Sequence, residues 1–463
     1  MATSDTAIRS DFDTLQEQAR RHLWMHFTRM GAFAEQEIPI IVRGEGCYVY
    51  DAHGKRYLDG LSSLYCTNIG HGRADIAQAG ADQGKQLAYF NNWSYAHPPA
   101  IELAAKIASL APGDLNRTFF TSGGSEAVES ALKLARQYFN LLGKPGKHKL
   151  IARDVAYHGT SFGALSATGI IGIKTPFEPI TPGGCHVPNT NVYRLPDGMT
   201  VEGLAETVAD RIESEGPDTV AAVIMEPVQN SGGCFTPPDG YFQRVREICD
   251  EYDVLMISDE VICAWGRLGE WFGAVRYDYQ PDIITTAKGL TSAYAPLGAV
   301  IFSDRIAEPF LEGPNMFLHG ITFGAHPVCT AVALANIDAF EREEILENVR
   351  SNEAGFREML ESLSDLPIVG DVRGAGYFMA LELVKDKETK ESFSDEECET
   401  LLRGYLSTEL FRRGLFCRAD DRGDPVVILA PPLIAGPEQF AEIEAVLRPV
   451  LAQAGERMRL PSA

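Results

Sequence analysis

Six short runs carry the constraint that matters most for this chain: RTFFTS (117–122), KLIARD (149–154), VAAVIMEP (220–227), VLMISDE (254–260), IITTAK (283–288) and LGAVIFS (297–303). They are rich in apolar, β-branched and aromatic residues, and longer stretches with helical spacing lie between several of them. SEAVESALKLARQYF follows the first run and DGYFQRVREICDEY precedes the fourth. Strands that are apolar along their whole length must be covered on both faces, and alternation with amphipathic helices supplies that cover. The centre of the chain is therefore expected to be α/β, with a parallel or mostly parallel sheet.

The flanks have a different texture. Residues 1–60 open with a helix candidate and reach CYVYDAHGKRYLDG, which reads as two short strands turning at His53–Gly54. Beyond about residue 330 come long helical stretches, then RGAGYFMALELV, a polar acidic segment around 385–399, another helix and VVILAPPLI. This pattern predicts a large domain over 66–330 and a smaller α+β domain assembled from 1–65 and 331–463. The charge balance, 41 basic against 64 acidic residues for a net −23, argues against nucleic acid or an anionic membrane surface as partner. Nine cysteines without a C-x-x-C pair, a polar N-terminus and no run of 18 apolar residues predict a reduced, cytoplasmic protein that neither spans a membrane nor carries a metal site.

In an open α/β sheet, ligands bind beyond the carboxyl ends of the strands. RTFFTS runs into Gly123, Gly124 and Ser125 at the start of a helix, a grouping that suits an anion because backbone N–H groups and the helix dipole converge there. The same four-residue S-G-G-S also serves as an ordinary N-cap. KLIARD is followed by Tyr157 and His158, VAAVIMEP ends at Glu226, VLMISDE at Asp259 and Glu260, and IITTAK at Lys288. A carboxylate at Asp259 either caps the next helix or holds a protonated heteroaromatic nitrogen. Lys288 is either a surface lysine past a strand end or, desolvated, a nucleophilic amine that forms a Schiff base. An anion cup, an aromatic ring for stacking, an acid for a ring nitrogen and an amine on neighbouring strand ends together describe a receptor for pyridoxal 5′-phosphate.

SGGSEAVESALKLAR, AYHGTSFGALSATG, the stretch from IMEPVQNSGG to SDEVICAWGRLG, PDIITTAKGLTSAYAPLGAV and HGITFGAHPVCTAVALANI resemble the class III aminotransferases of pyridoxal-phosphate fold type I, over about residues 35–435. LYCTNIGHGR, YFNNWSYAHP and CRADDRGDPVVILAPPL are similar to the ω-aminotransferases that use pyruvate as acceptor. The resemblance implies a ping-pong transfer from a primary amine or ω-amino acid to pyruvate, with Lys288 forming the internal aldimine and moving the proton. It implies that Asp259 binds the ring nitrogen, Val261 and Tyr157 pack on the two ring faces, Gly124 and Ser125 hold the phosphate, and Glu226 positions Asp259 or the cofactor's substituents. Thr322 is implied to reach the phosphate of a neighbouring subunit in a homodimer, or in a tetramer made of two such dimers.

Arg418 matches an arginine that pairs with an acceptor carboxylate, a task suited to a bidentate guanidinium, although it also reads as a solvated partner of Asp420, Asp421 and Asp424. Tyr65 and Trp93 correspond to substrate-facing aromatics and would look no different as core residues. Two departures stand out: Gly123 replaces a common serine in the phosphate cup, and Tyr65 stands where many relatives carry tryptophan. Diamine, β-alanine, 4-aminobutyrate and diaminopelargonate aminotransferases are neighbouring readings, as is a binding module without turnover. From another class, GTSFG (159–163) offers an α/β-hydrolase serine, Ser161, with Asp259 and His319 in the order of that triad.

Overall fold

A computed structural model describes residues 12–459. Its central sheet has seven strands in the spatial order Leu115–Thr121, Gly298–Ser303, Ile283–Thr286, Leu255–Asp259, Val220–Met225, Lys149–Arg153 and Gly184–Val187. Every strand but one runs the same way. Gly298–Ser303 is antiparallel to both its neighbours, because residues 287–297 are too few for the crossover of a dozen or so residues that a parallel return demands. All six runs found in the sequence are strands of this sheet. The edge strand Gly184–Val187 was not expected; GCHV is half-buried and carries no apolar run to mark it.

Along Val220–Met225 every residue is buried, and from Ala222 onward the side chains alternate between two cores. Ala222 and Ile224 pack with Ala131, Leu134 and Ala135 of the helix Gly124–Leu141. Val223 and Met225 meet Val208, Ile212, Val245 and Ile248 from the helices Gly203–Glu215 and Tyr241–Glu251 on the other face. The parallel strands thus end at one common edge, where the loops that follow them are free to build a site.

The chain ends meet in a second region. Tyr48–Asp51 and Arg56–Asp59 form the expected hairpin, extended on one side by Ile41–Glu45. On the other side Leu415–Phe416 joins in parallel, with Leu415 opposite Leu58 and Phe416 opposite Asp59. Two residues further on, Arg418–Asp420 becomes the edge strand of a four-stranded antiparallel sheet with Val426–Leu429, Phe378–Leu383 and Val369–Ala375. Among the described residues, no helix is long and apolar enough to cross a membrane.

One buried cation ties these parts together. Arg267 is fully buried, and its guanidinium donates to the carbonyls of Tyr377 (3.0 Å) and Pro431 (2.6 Å), to Ser62 Oγ (2.9 Å) and to Asn68 Oδ1 (2.8 Å). Burial pulls its pKa down to about 10. Arg267→Met leaves those acceptors unpaired in the interior and is expected to cost about 3–5 kcal/mol, measured as a lowered urea midpoint; Arg267→Lys recovers only part, since a single ammonium cannot fork to four acceptors.

Candidate active site

Lys288 lies two residues past the strand Ile283–Thr286, half-buried, and opens a short 3-10 turn with φ of +43°. A lysine in this left-handed region is uncommon and is held there by its surroundings. Asn336 Nδ2 donates to the carbonyls of Gly289 (2.9 Å) and Leu290 (3.0 Å), and Trp265 Nε1 donates to Thr286 Oγ1 at 2.6 Å. Glycine at 289 is a matter of space, since a Cβ there would fall 2.4 Å from Asn68 Nδ2. The same Asn68 side chain is the one that Arg267 grips, so the turn bearing Lys288 rests on the buried arginine's network.

The neighbouring strand delivers Asp259, which is 3% exposed. Its carboxylate accepts from His158 Nδ1 at 2.7 Å, from Thr285 Oγ1 at 3.1 Å and from the Val261 N–H at 3.2 Å. A carboxylate only accepts, so Nδ1 of His158 carries the proton and Nε2 is left without a partner inside the protein. Glu226 is buried beside them; Oε2 accepts from the Asn230 N–H at 2.9 Å, while Oε1 has no partner and burial holds the carboxyl above its ordinary pKa. Asp259 and Glu260 are adjacent yet part company: Glu260 turns into the core, where its carboxylate takes the N–H groups of Gly273 and Ala274.

At the first strand's end, the 18-residue helix Gly124–Leu141 presents its free N-terminal N–H groups. Gly124 is needed for room, because a Cβ there would lie 2.7 Å from Val261 Cγ1. Gly123, in extended backbone, is the N-cap. The Ser125 hydroxyl is engaged within the protein: it accepts from the N–H groups of Thr160 (3.1 Å) and Ser161 (3.0 Å) and donates to Ser161 Oγ (3.0 Å).

Gly124, Ser125, Tyr157, Glu226, Asp259, Val261 and Lys288 line one cavity of about 170 Å³. His158, Gly159, Ile262 and Cys263 line it too and were not singled out as site residues in the sequence. The signal for His158 was its place beside Tyr157 after a strand. Five other expected residues, Gly123 at the helix N-cap among them, do not line the cavity within this chain. Thr322 is exposed, its carbonyl accepting from Tyr89 Oη at 2.7 Å. Trp93 is 60% exposed and lies against Gly320. Tyr65 is buried edge-on to Phe378, its hydroxyl unpartnered. Arg418 pairs loosely with Asp420 at 3.4 Å.

The hydrolase alternative fails on geometry. Ser161 Oγ donates to Glu129 at 2.9 Å, His319 Nε2 is bonded to Ser130 Oγ at 2.9 Å, and Asp259 is taken by His158, so no triad exists. Among the described residues, no group of His, Cys, Asp or Glu is arranged to hold a metal ion. The cavity instead offers an amine, a pinned carboxylate, two buried polar atoms awaiting partners and an anion-seeking helix terminus.

Residues 31–451 match the family model described as aminotransferase class-III. A probable aminotransferase of Mycobacterium tuberculosis is 58% identical over 447 residues, covering 96% of this chain and 95% of that protein. A putrescine–pyruvate aminotransferase of Pseudomonas aeruginosa is 39% identical over 444 residues, covering 95% and 96%. The solved structure of an ω-transaminase from Pseudomonas jessenii in complex with PMP superposes with a TM-score of 0.90 at 34% identity, covering 96% of this chain and 98% of that one.

The buried Glu260 generates a pH dependence of stability. Burial raises its pKa from 4.5 to about 7. Between those values the unfolded chain gives up the proton while the folded chain keeps it, so this residue's contribution is present at low pH and is lost as pH rises towards 7. Urea midpoints of the wild-type protein are expected to fall relative to those of Glu260→Gln between about pH 4.5 and 7, and to run parallel above that.

Proposed function

Because this chain belongs to the class-III aminotransferases, a pyridoxal 5′-phosphate-dependent family of fold type I, we propose that it transfers an amino group from a primary amine or ω-amino acid to pyruvate, donor and acceptor using one site in turn. The observation that carries the reading is the meeting of Lys288 with the His158-pinned carboxylate of Asp259 in one cavity with the helix terminus at Gly124. The unpartnered atoms of Glu226 and His158 and the close fit of Val261 on Gly124 suit a planar, anionic, hydrogen-bonding cofactor. The word pyruvate in the name of the Pseudomonas aeruginosa relative supports the choice of acceptor.

When bound, pyridoxal 5′-phosphate supplies an aldehyde that captures amines and a ring that takes up an electron pair. The protein's part is to hold and to move protons. The N–H groups of Gly124 and Ser125 at the helix terminus would hold the phosphate, with Gly123 as the extended N-cap beside them. Asp259, kept in place by His158 and Thr285, would accept from the ring nitrogen, and Val261 and Tyr157 would pack against the ring. Glu226 offers its unpartnered oxygen to the cofactor's polar edge. Lys288 Nζ takes the proton from the carbon that carries the donor's amino group and returns a proton on the acceptor's side. Thr322, exposed on one chain, serves the phosphate of a second copy in a homodimer. Tyr65, Trp93 and Arg418 face the substrates once that copy is in place, Arg418 engaging the acceptor's carboxylate.

Lys288→Ala is expected to lower alanine formation from pyruvate by at least about 10³-fold. His158→Phe removes the proton donor to a buried carboxylate and is expected to weaken pyridoxal 5′-phosphate binding about tenfold, read by absorbance titration, with part recovered in His158→Asn. A panel of amines offered with pyruvate or 2-oxoglutarate tests the acceptor; transfer to 2-oxoglutarate alone would sink the pyruvate assignment.

A further inference from the structure

Two arginines and one carboxylate stand together beside the cavity. Asp420 is 6% exposed. Arg422 holds it firmly, with Nε 3.0 Å from each carboxylate oxygen and Nη2 2.7 Å from Oδ2. Arg418 reaches the same Oδ2 only at 3.4 Å through Nε, an ion pair without a hydrogen bond. The other acids of the segment are already engaged. Asp421 is gripped by both terminal nitrogens of Arg403 at 2.6 and 2.7 Å, and Asp424 faces Arg194 at 3.2 Å. The cluster Arg418, Arg422, Asp420 is therefore one negative charge short in a largely buried place.

Its position links it to the site. The Arg422 guanidinium lies 5.8 Å from the ring centre of Tyr157, a residue lining the cavity. Tyr65, whose buried hydroxyl has no partner, adds a free O–H donor next to Arg418. Incompletely neutralised cations and a spare donor in a desolvated setting are a receptor for a carboxylate, since the missing charge arrives with the ligand.

We propose that Asp420 and Arg422 are specificity-determining residues: Asp420 is the resting counter-ion of Arg418, Arg422 holds Asp420 back from fully claiming it, and the single uncompensated charge selects a small carboxylate over a neutral isostere. This deepens the reading of a 2-oxo acid acceptor and rests on it. Asp420 and Arg422 act through charge balance and do not themselves touch the reacting atoms.

The test is equilibrium binding of propanoate and of the neutral propanamide to the enzyme loaded with its cofactor, by calorimetry, beside turnover with pyruvate. Wild type is expected to bind propanoate more tightly. Arg422→Gln removes the surplus charge and is expected to lower the propanoate-to-propanamide affinity ratio about tenfold; Asp420→Asn adds to the surplus and is expected to raise it by a similar factor. Arg422→Lys, which keeps the charge, should restore most of the ratio. A damaged fold moves both variants the same way, so a fall in both, or no change in either, overturns the proposal. Normal propanoate selectivity with the expected opposite shifts, but no transfer to pyruvate, supports the charge-balance site while removing the pyruvate reading. Transfer to pyruvate without the opposite shifts does the reverse.

Discussion

A guanidinium buried among neutral acceptors organises this protein. Arg267 belongs to the loop after the strand that carries Asp259, yet its bonds go to Ser62 and Asn68 from the N-terminal segment and to the carbonyls of Tyr377 and Pro431 from the C-terminal one. Removing such a charge from water is costly, and the cost is offset only while all four acceptors stay in place. Asn68 then passes the constraint on, because the backbone at Gly289 can approach it only without a side chain. Lys288, with its φ of +43°, is the residue immediately before this contact.

The same logic governs the other buried charges around the cavity. Asp259 keeps His158 and Thr285 as partners. Glu260, one residue on, is satisfied by backbone N–H groups on the far side. Glu226 is satisfied on one oxygen only. An interior seldom leaves such an atom unmet without reason, and this one belongs to a residue that lines the cavity.

Much of this was legible in the sequence because it follows from period and punctuation. Apolar runs such as VAAVIM and VLMIS are buried on both faces and could be little else. Glycines before a helix and a lysine after a strand mark the site by position alone. What stayed hidden depends on which strands become neighbours. His158 reaches Asp259 only because the loop after Lys149–Arg153 passes the end of Val220–Met225, the one strand that lies between them in the sheet. Asn336 supports the Lys288 turn from a helix 46 or 47 residues away. The Ser125 hydroxyl is bonded to the backbone N–H groups of Thr160 and Ser161, a pairing that its place at a helix start did not announce. Ser161, Asp259 and His319 appeared in a suggestive order, and only their separate partners show that order to be accidental.

The short parallel pairing of Leu415–Phe416 with Arg56–Asp59 has a reach beyond its size. Arg418 begins its own strand two residues later, in a different sheet, so its lateral position is inherited from the hairpin at the front of the chain. The proposed carboxylate site is in effect hung from the N-terminal segment. Fusions or trims that disturb the first sixty residues would thus show themselves as altered discrimination among acceptors while the central sheet, and the lysine it carries, remain intact.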